Sequence, residues 1–294
     1  MKNFTKLSIL SLVSVLVFTS CETTELDLTA NPNALGPDQA SADLFINAIQ
    51  EDFAYFVDEL GSPGLRLTRQ LHDFFRDYDN AYTPIDWDGV WSNAYQGIME
   101  DIRLMTILAE EASLSYYVGM GEVFQAYIYI SLVDYFGDVP YTEALQGSEN
   151  LNPSSDGGQA VYQAALGILD SAIANFNAGG SGPQYDLYYG GDAQKWIRAA
   201  NSIKKKAYLN MGDYSSYNSI SNYINSSADD FQFQWGTNVS NPDTRSPIYR
   251  SNYTNNGASD FQSNWLMNRL MVGRGGVRDP RINYLIYRQQ GDTP

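Results

Sequence analysis

The chain of 294 residues carries 34 acidic against 18 basic side chains, a net charge of −16, with a single histidine and a single cysteine. That balance argues against a nucleic-acid partner, because phosphate binding needs a clustered Lys/Arg footprint. One cysteine excludes an intrachain disulfide, one of each excludes a His/Cys zinc site, and a Ser-His-Asp triad on His72 would have no nucleophile-elbow sequence to serve it.

The N-terminus reads first as a leader. Lys2 and Lys6 precede an apolar run of 12 residues, 7–18, too short to cross a bilayer as a helix but of signal-peptide length. Thr19-Ser20-Cys21 follows, and the single cysteine falls where the apolar run ends. This is the pattern of a bacterial lipoprotein signal over 1–20, with Cys21 lipidated on sulfur as the mature N-terminus and palmitate among its expected acyl groups. An ordinary secretory signal with a stray cysteine is the simpler alternative. Residues 21–40 are polar and contain prolines, and predict an extended tether between lipid and domain.

From residue 41 to 294 helical periodicity dominates, and one helical domain is expected. Ser41 is the N-cap of a helix to about residue 60, stopped by Gly61-Ser62-Pro63-Gly64. A second helix is predicted over 65–75, then irregular chain over 77–88. The next helix, 90–111, carries Trp91, Tyr95, Ile98, Ile102 and Met105 on one stripe, and Trp91 and Tyr95 read as core. The clearest helix is 117–136, ended by Gly137-Asp138-Val139-Pro140. A helix begins at residues 154–156 and runs to about 177. Asp192 caps another to about 211, with Trp196 and Tyr208 as core, and a shorter one follows over 214–225. Lys204-Lys205-Lys206 reads as the solvated face of its helix. Residues 230–259 predict long loops with room for a short strand pair, and Ser259-Asp260 opens a last helix to about 272. No sustained alternation supports a large sheet. The class is all-α, built of successive antiparallel helix pairs, and most of the 22 tyrosines read as its core.

One run is more specific than periodicity. Tyr135-Phe136-Gly137-Asp138-Val139-Pro140-Tyr141, followed by Glu143-Ala144-Leu145, resembles the SusD/RagB family of surface nutrient-binding lipoproteins. Asn31-Pro32-Asn33, the stretch 195–209 and Arg278-Asp279-Pro280-Arg281-Ile282 resemble it too, in family order. The acidic residues after Cys21 look like the surface-export signal of such lipoproteins. The resemblance implies a SusD-like scaffold of tetratricopeptide-like helix pairs with long ligand-binding loops. It implies a non-enzymatic lid on a SusC-like TonB-dependent outer-membrane transporter, lipid-anchored and facing the cell exterior, that passes an oligosaccharide or a peptide inward. Members are usually longer, so a further C-terminal part is expected. The motif itself has a structural explanation: Gly137 stops the helix, Pro140 fixes the exit, and Tyr135 and Tyr141 pack the corner.

Sugar capture needs flat aromatics on loops and polar groups for hydroxyls. Two loops fit. The first offers Asp77, Tyr78, Asn80, Tyr82 and Trp87; the second offers Trp235, Tyr249, Arg250 and Tyr253. Asp77, Asp79, Asp86 and Asp88 lack the glycine and glutamate positions of an EF-hand loop, so a solvated acidic loop is expected and no metal or other cofactor. A glycoside hydrolase would need two facing carboxylates, which 34 acids can always suggest; no catalytic residue is assigned.

Overall fold

A computed structural model of the chain describes residues 40–73, 81–253 and 257–286. The leader, Cys21, the tether to residue 39, and Asp77, Tyr78, Asp79 and Asn80 of the first loop lie outside the described residues. Within them the chain is helical with no sheet, apart from isolated bridges joining Leu71 to Gln262 and Val139 to Asp156.

Helix α1 (Ala42–Leu67) begins as expected, with the Ser41 hydroxyl accepting from the Leu44 N–H at 3.3 Å. It does not end at the Gly-Ser-Pro-Gly run, which lies inside it. No separate helix starts at residue 65; the chain turns at Arg69, where φ is 59°. Pro63 removes one donor from the helix and crowds the preceding turn. The hydroxyl of Tyr135 supplements that turn by donating to the Leu60 carbonyl at 2.7 Å. A side chain at Gly64 would run into the same hydroxyl. The glycine is therefore a seat for Tyr135 rather than a terminator.

A 3-10 turn (Pro84–Trp87) leads into α2 (Asp88–Ser92), a π-helical stretch (Asn93–Met99) and α3 (Glu100–Glu111), which follow one another as a single rod. Helix α4 (Ser115–Phe136) ends at Gly137, whose φ of 81° is the left-handed conformation glycine allows. Helix α5 (Gly158–Ala178) starts later than expected, because Asp156 is engaged elsewhere. Its carboxylate accepts from the N–H groups of Tyr141 and Thr142 at 2.9 and 2.8 Å and closes the corner after Pro140. Asp192 caps α6 (Ala193–Asn210) through the N–H groups of Gln194 and Lys195. Helix α7 (Tyr214–Ser219) stops short of residue 225. Helix α8 (Pro247–Asn252) stands within the segment expected to be loop, and no strand pair forms there among the described residues. Ser263 rather than Ser259 caps α9 (Asn264–Val272), and α10 (Ile282–Leu285) follows.

Side-chain pairs fix the helix directions. Tyr116 meets Phe176, and Tyr162 donates to Asp134, so α4 and α5 are antiparallel. Phe176 stacks on Trp196 while Gln163 reaches Met211, so α5 and α6 are antiparallel too. Asp43 bonds Tyr117 at 2.6 Å while Leu60 bonds Tyr135, which sets α1 parallel to α4. The core between them is aromatic: Phe53, Phe124, Tyr188, Trp196 and Phe231 lie within 6.3 Å of one another in successive pairs. Gln50, fully buried on α1, ties the 185–187 backbone to this core by donating to the Tyr185 carbonyl at 3.0 Å and accepting from the Leu187 N–H at 2.7 Å.

One expectation changes here. Lys204, Lys205 and Lys206 are half-buried and each has a partner. Lys204 pairs with Asp170, Lys206 pairs with Asp134, and Lys205 donates to the Tyr217 carbonyl at 2.7 Å with its ammonium 3.8 Å from the ring centre. Each reaches a neighbouring helix or loop that the helix's own periodicity does not reveal. Trp196 is fully buried, and Trp91, Tyr95 and Tyr208 are half-buried and packed against the core, as expected; Trp91 and Tyr95 also border an open cleft.

Candidate ligand-binding site

Three of the four residues singled out on the second loop come together. Trp235, Tyr249 and Tyr253 line a cavity of about 470 Å³ with Gly236, Thr237, Val239, Arg245 and Ser246. Helix α8 is the reason for the pairing of the tyrosines: residues four apart share a helix face, and the two rings stack at 4.5 Å with planes 9° apart. Both remain exposed, Tyr249 by 48% and Tyr253 by 40%. Trp235 is held from behind, with Tyr55 of α1 at 5.2 Å and Phe233 at 4.8 Å, both edge-on.

The loop between Trp235 and α8 is closed by its own backbone. Gly236 donates to the Thr244 carbonyl at 2.8 Å, Thr244 donates to the Asn238 carbonyl at 3.1 Å, and the Asn238 amide donates to the Pro242 carbonyl at 2.8 Å. A side chain at Gly236 would collide with Thr244, so the glycine permits this closure. Arg245 contacts both carboxylate oxygens of Asp243, at 3.0 and 2.7 Å. The bond holds the Asp243 carboxyl down at about 2 and leaves a fixed ion pair at the rim.

Arg250 is not brought to this cavity. It lies a quarter-turn round α8 from Tyr249, near Asp58 of α1, whose carboxyl is pushed up by burial and drawn back down by that guanidinium. Helix α8 is further anchored by Asn252, which exchanges hydrogen bonds with Asp260 at 3.0 and 2.8 Å, while Asp260 pairs with Arg66 at 2.7 Å. Asn252 is thus the buried residue of α8, and the face left open carries the tyrosines.

The described part of the first loop is arranged differently. Tyr82 lies 5.3 Å from Trp87, and Trp87 packs edge-on against Tyr135 and Phe136 at 5.8 and 5.2 Å. Trp87 is a brace for the end of α4. Asp86 accepts from the backbone and hydroxyl of Thr83 at 2.8 and 2.7 Å, which commits it to starting the 3-10 turn. Sequence reasoning missed Arg245, which now stands at the cavity rim. Its signal was the Asp243-Thr244-Arg245 spacing, where a carboxylate two residues before a guanidinium can hold it in place.

The sequence matches the family SusD-like_2, described as starch-binding and associating with the outer membrane, over residues 37–293. No curated protein matches it. Among solved structures it is similar to a SusD homolog from Bacteroides fragilis NCTC 9343, with 18% identity and a TM-score of 0.61, covering 83% of this chain and 52% of that one. It is similar also to a SusD/RagB family protein from Bacteroides thetaiotaomicron VPI-5482, with 20% identity and a TM-score of 0.62, covering 76% and 52%. A chitin-binding protein aligns with 18% identity and a TM-score of 0.58, covering 80% and 54%. At these identities the likeness establishes the fold, and the chain spans about half the length of these relatives.

Proposed function

The chain belongs to the SusD-like family, and we propose on that premise that it is a non-catalytic surface lipoprotein that captures nutrient oligosaccharides and delivers them to a SusC-like TonB-dependent transporter. The observation that carries the reading is the cavity walled by Trp235, Tyr249 and Tyr253. The two tyrosine rings are exposed and mutually parallel on one wall, and the half-buried Trp235 is braced from behind on the other. A pyranose has an apolar face of C–H bonds and an edge of hydroxyls. Stacking takes the face, and Arg245, Ser246 and Thr237 at the rim offer donors and acceptors to the edge. Binding of this kind needs shape and contact, with no bond broken.

The leader 1–20 and Cys21 fit an anchor at the outer membrane, with 21–40 as the tether and the helical unit Ser41–Pro294 held outside the cell. Chitin binding by a structural relative and the family's starch-binding description both favour a glycan as the ligand.

The test is titration of the full chain in detergent with maltohexaose, chitohexaose and a peptide mixture, with the glycans then analysed for length. Binding of a glycan recovered intact is the expected result. Shortened glycan would replace this reading with a hydrolase, and binding of peptides alone would replace the ligand class. Labelled palmitate should enter the native chain in cells and be absent from the Cys21→Ser variant; labelling that persists would overturn the anchor.

A further inference from the structure

A cleft of about 780 Å³ runs between one face of the α2–π–α3 rod and the loop that follows Pro140. Its size is typical of small-ligand sites, ~300–1,000 Å³, and it shares no lining residue with the Trp235 cavity. Asp88, Ser92, Gln96 and Glu100 form one row of its helical wall, each four residues from the next, and Trp91 with Tyr95 forms the adjacent row.

The two rings are fixed. They lie parallel, 5.5 Å apart with planes 4° from each other. Trp91 is backed by Phe136 at 5.0 Å and Tyr95 by Tyr129 at 6.4 Å. The Tyr95 hydroxyl donates to the Pro140 carbonyl at 2.6 Å, so this ring cannot swing out of the wall without breaking that bond. The surrounding backbone departs from ordinary conformations at two places. The wall of the rod is π-helical over Asn93–Met99, and Leu145 on the facing wall has a φ of 60°. Both arrangements cost energy relative to common ones and recur at functional sites.

Polar groups at the rim complete the chemistry. The Gln96 amide is exposed and makes no hydrogen bond among the described residues. Glu100 is held ionised by Arg103, whose two nitrogens reach it at 2.6 and 2.9 Å, so it can accept from a hydroxyl at neutral pH. Asn150 borders the far side. Two parallel aromatic rings, edged by an amide and a carboxylate, match the face and hydroxyl edge of a sugar.

We propose that this cleft is a second oligosaccharide-binding subsite, in which Trp91 and Tyr95 stack on sugar faces and Gln96, Glu100 and Asn150 hydrogen-bond hydroxyls. The inference rests on the glycan-capture reading, but it assigns a separate place on the molecule. It would let one long chain be held at two points, or two chains at once.

The experiment is calorimetric titration of the full chain with maltohexaose and chitohexaose as probes. Three forms are compared: the unchanged chain, the double variant Tyr249→Ala/Tyr253→Ala, and that double variant with Gln96→Ala added. Gln96 is exposed, so its truncation leaves folding intact, which circular dichroism checks. Residual binding by the double variant is expected, weakened about two- to tenfold by Gln96→Ala through loss of one hydrogen bond. A double variant that binds nothing while the unchanged chain binds would overturn the subsite and leave glycan capture standing. Residual affinity left unaltered by Gln96→Ala would overturn the subsite as well. An unchanged chain that binds neither probe overturns both readings.

Discussion

Truncating Tyr249 to alanine should separate binding from stability. The ring is 48% exposed, so about half its surface is free for a ligand. A tyrosine offers roughly 150–250 Å² in contact, and a stacked sugar would cover on the order of 100 Å² of the free part. At ~25 cal/mol per Å² that area is worth ~2.5 kcal/mol, an upper value because coverage is incomplete. With tenfold in affinity for each ~1.4 kcal/mol, the loss at the Trp235 cavity falls between about tenfold and sixtyfold. The cost to the fold is smaller. What Tyr249 gives up is its stack on Tyr253, ~0.5–1.5 kcal/mol, which lowers the melting temperature by less than about 5 °C. Titration calorimetry with maltohexaose and chitohexaose reads the first quantity, and thermal unfolding reads the second. Affinity unchanged beside a glycan-binding unaltered chain would refute the stacking argument; a large fall in melting temperature would show that Tyr249 is a packing residue.

The buried amide of Gln50 satisfies two backbone groups at once, so Gln50→Leu should cost ~2–4 kcal/mol and lower the melting temperature by about 5–15 °C; a shift under about 2 °C would refute that role. Gly64→Ala should destabilise by ~1 kcal/mol despite alanine's better helix propensity, because the Tyr135 hydroxyl must move. In a Tyr135→Phe background the same change should be neutral or stabilising, and additive effects in the double-mutant cycle would refute the seat. Burial pushes the Glu122 carboxyl above its ordinary 4.5, so the folded state favours the protonated form. Its stability contribution is complete below about pH 4.5 and is lost as pH rises through the raised value. Glu122→Gln, which keeps an acceptor for Asn175, should therefore be more stable than the unaltered chain at pH 7 and lose that advantage as pH falls to about 4.5. Denaturant melts at the two pH values check this, and an equal difference at both would refute it.

Where a structural outcome depends on a few neighbouring residues, the sequence was sufficient. Ser41 and Asp192 start helices because a side-chain oxygen two or three residues before a free N–H needs nothing else. Gly137 ends α4 for an equally local reason, its freedom to take a φ of 81°. The all-helical class follows from periodicity summed over long segments. What no local pattern carries is the identity of the segment lying opposite. Pro63 and Gly64 sit within a helix against which Tyr135, from far along the chain, packs, donating to the Leu60 carbonyl. The lysines at 204–206 are engaged because Asp170, Tyr217 and Asp134 are brought to them. Most of all, the sequence names aromatic residues but not their fate. Trp87 packs edge-on against Phe136, while Tyr249 keeps its ring exposed and Trp91 and Tyr95, packed against the core, also border a cleft. A ring's chemistry is written in its residue type. Its availability to a ligand is decided by which other element covers its second face, and only the packed tertiary structure settles that.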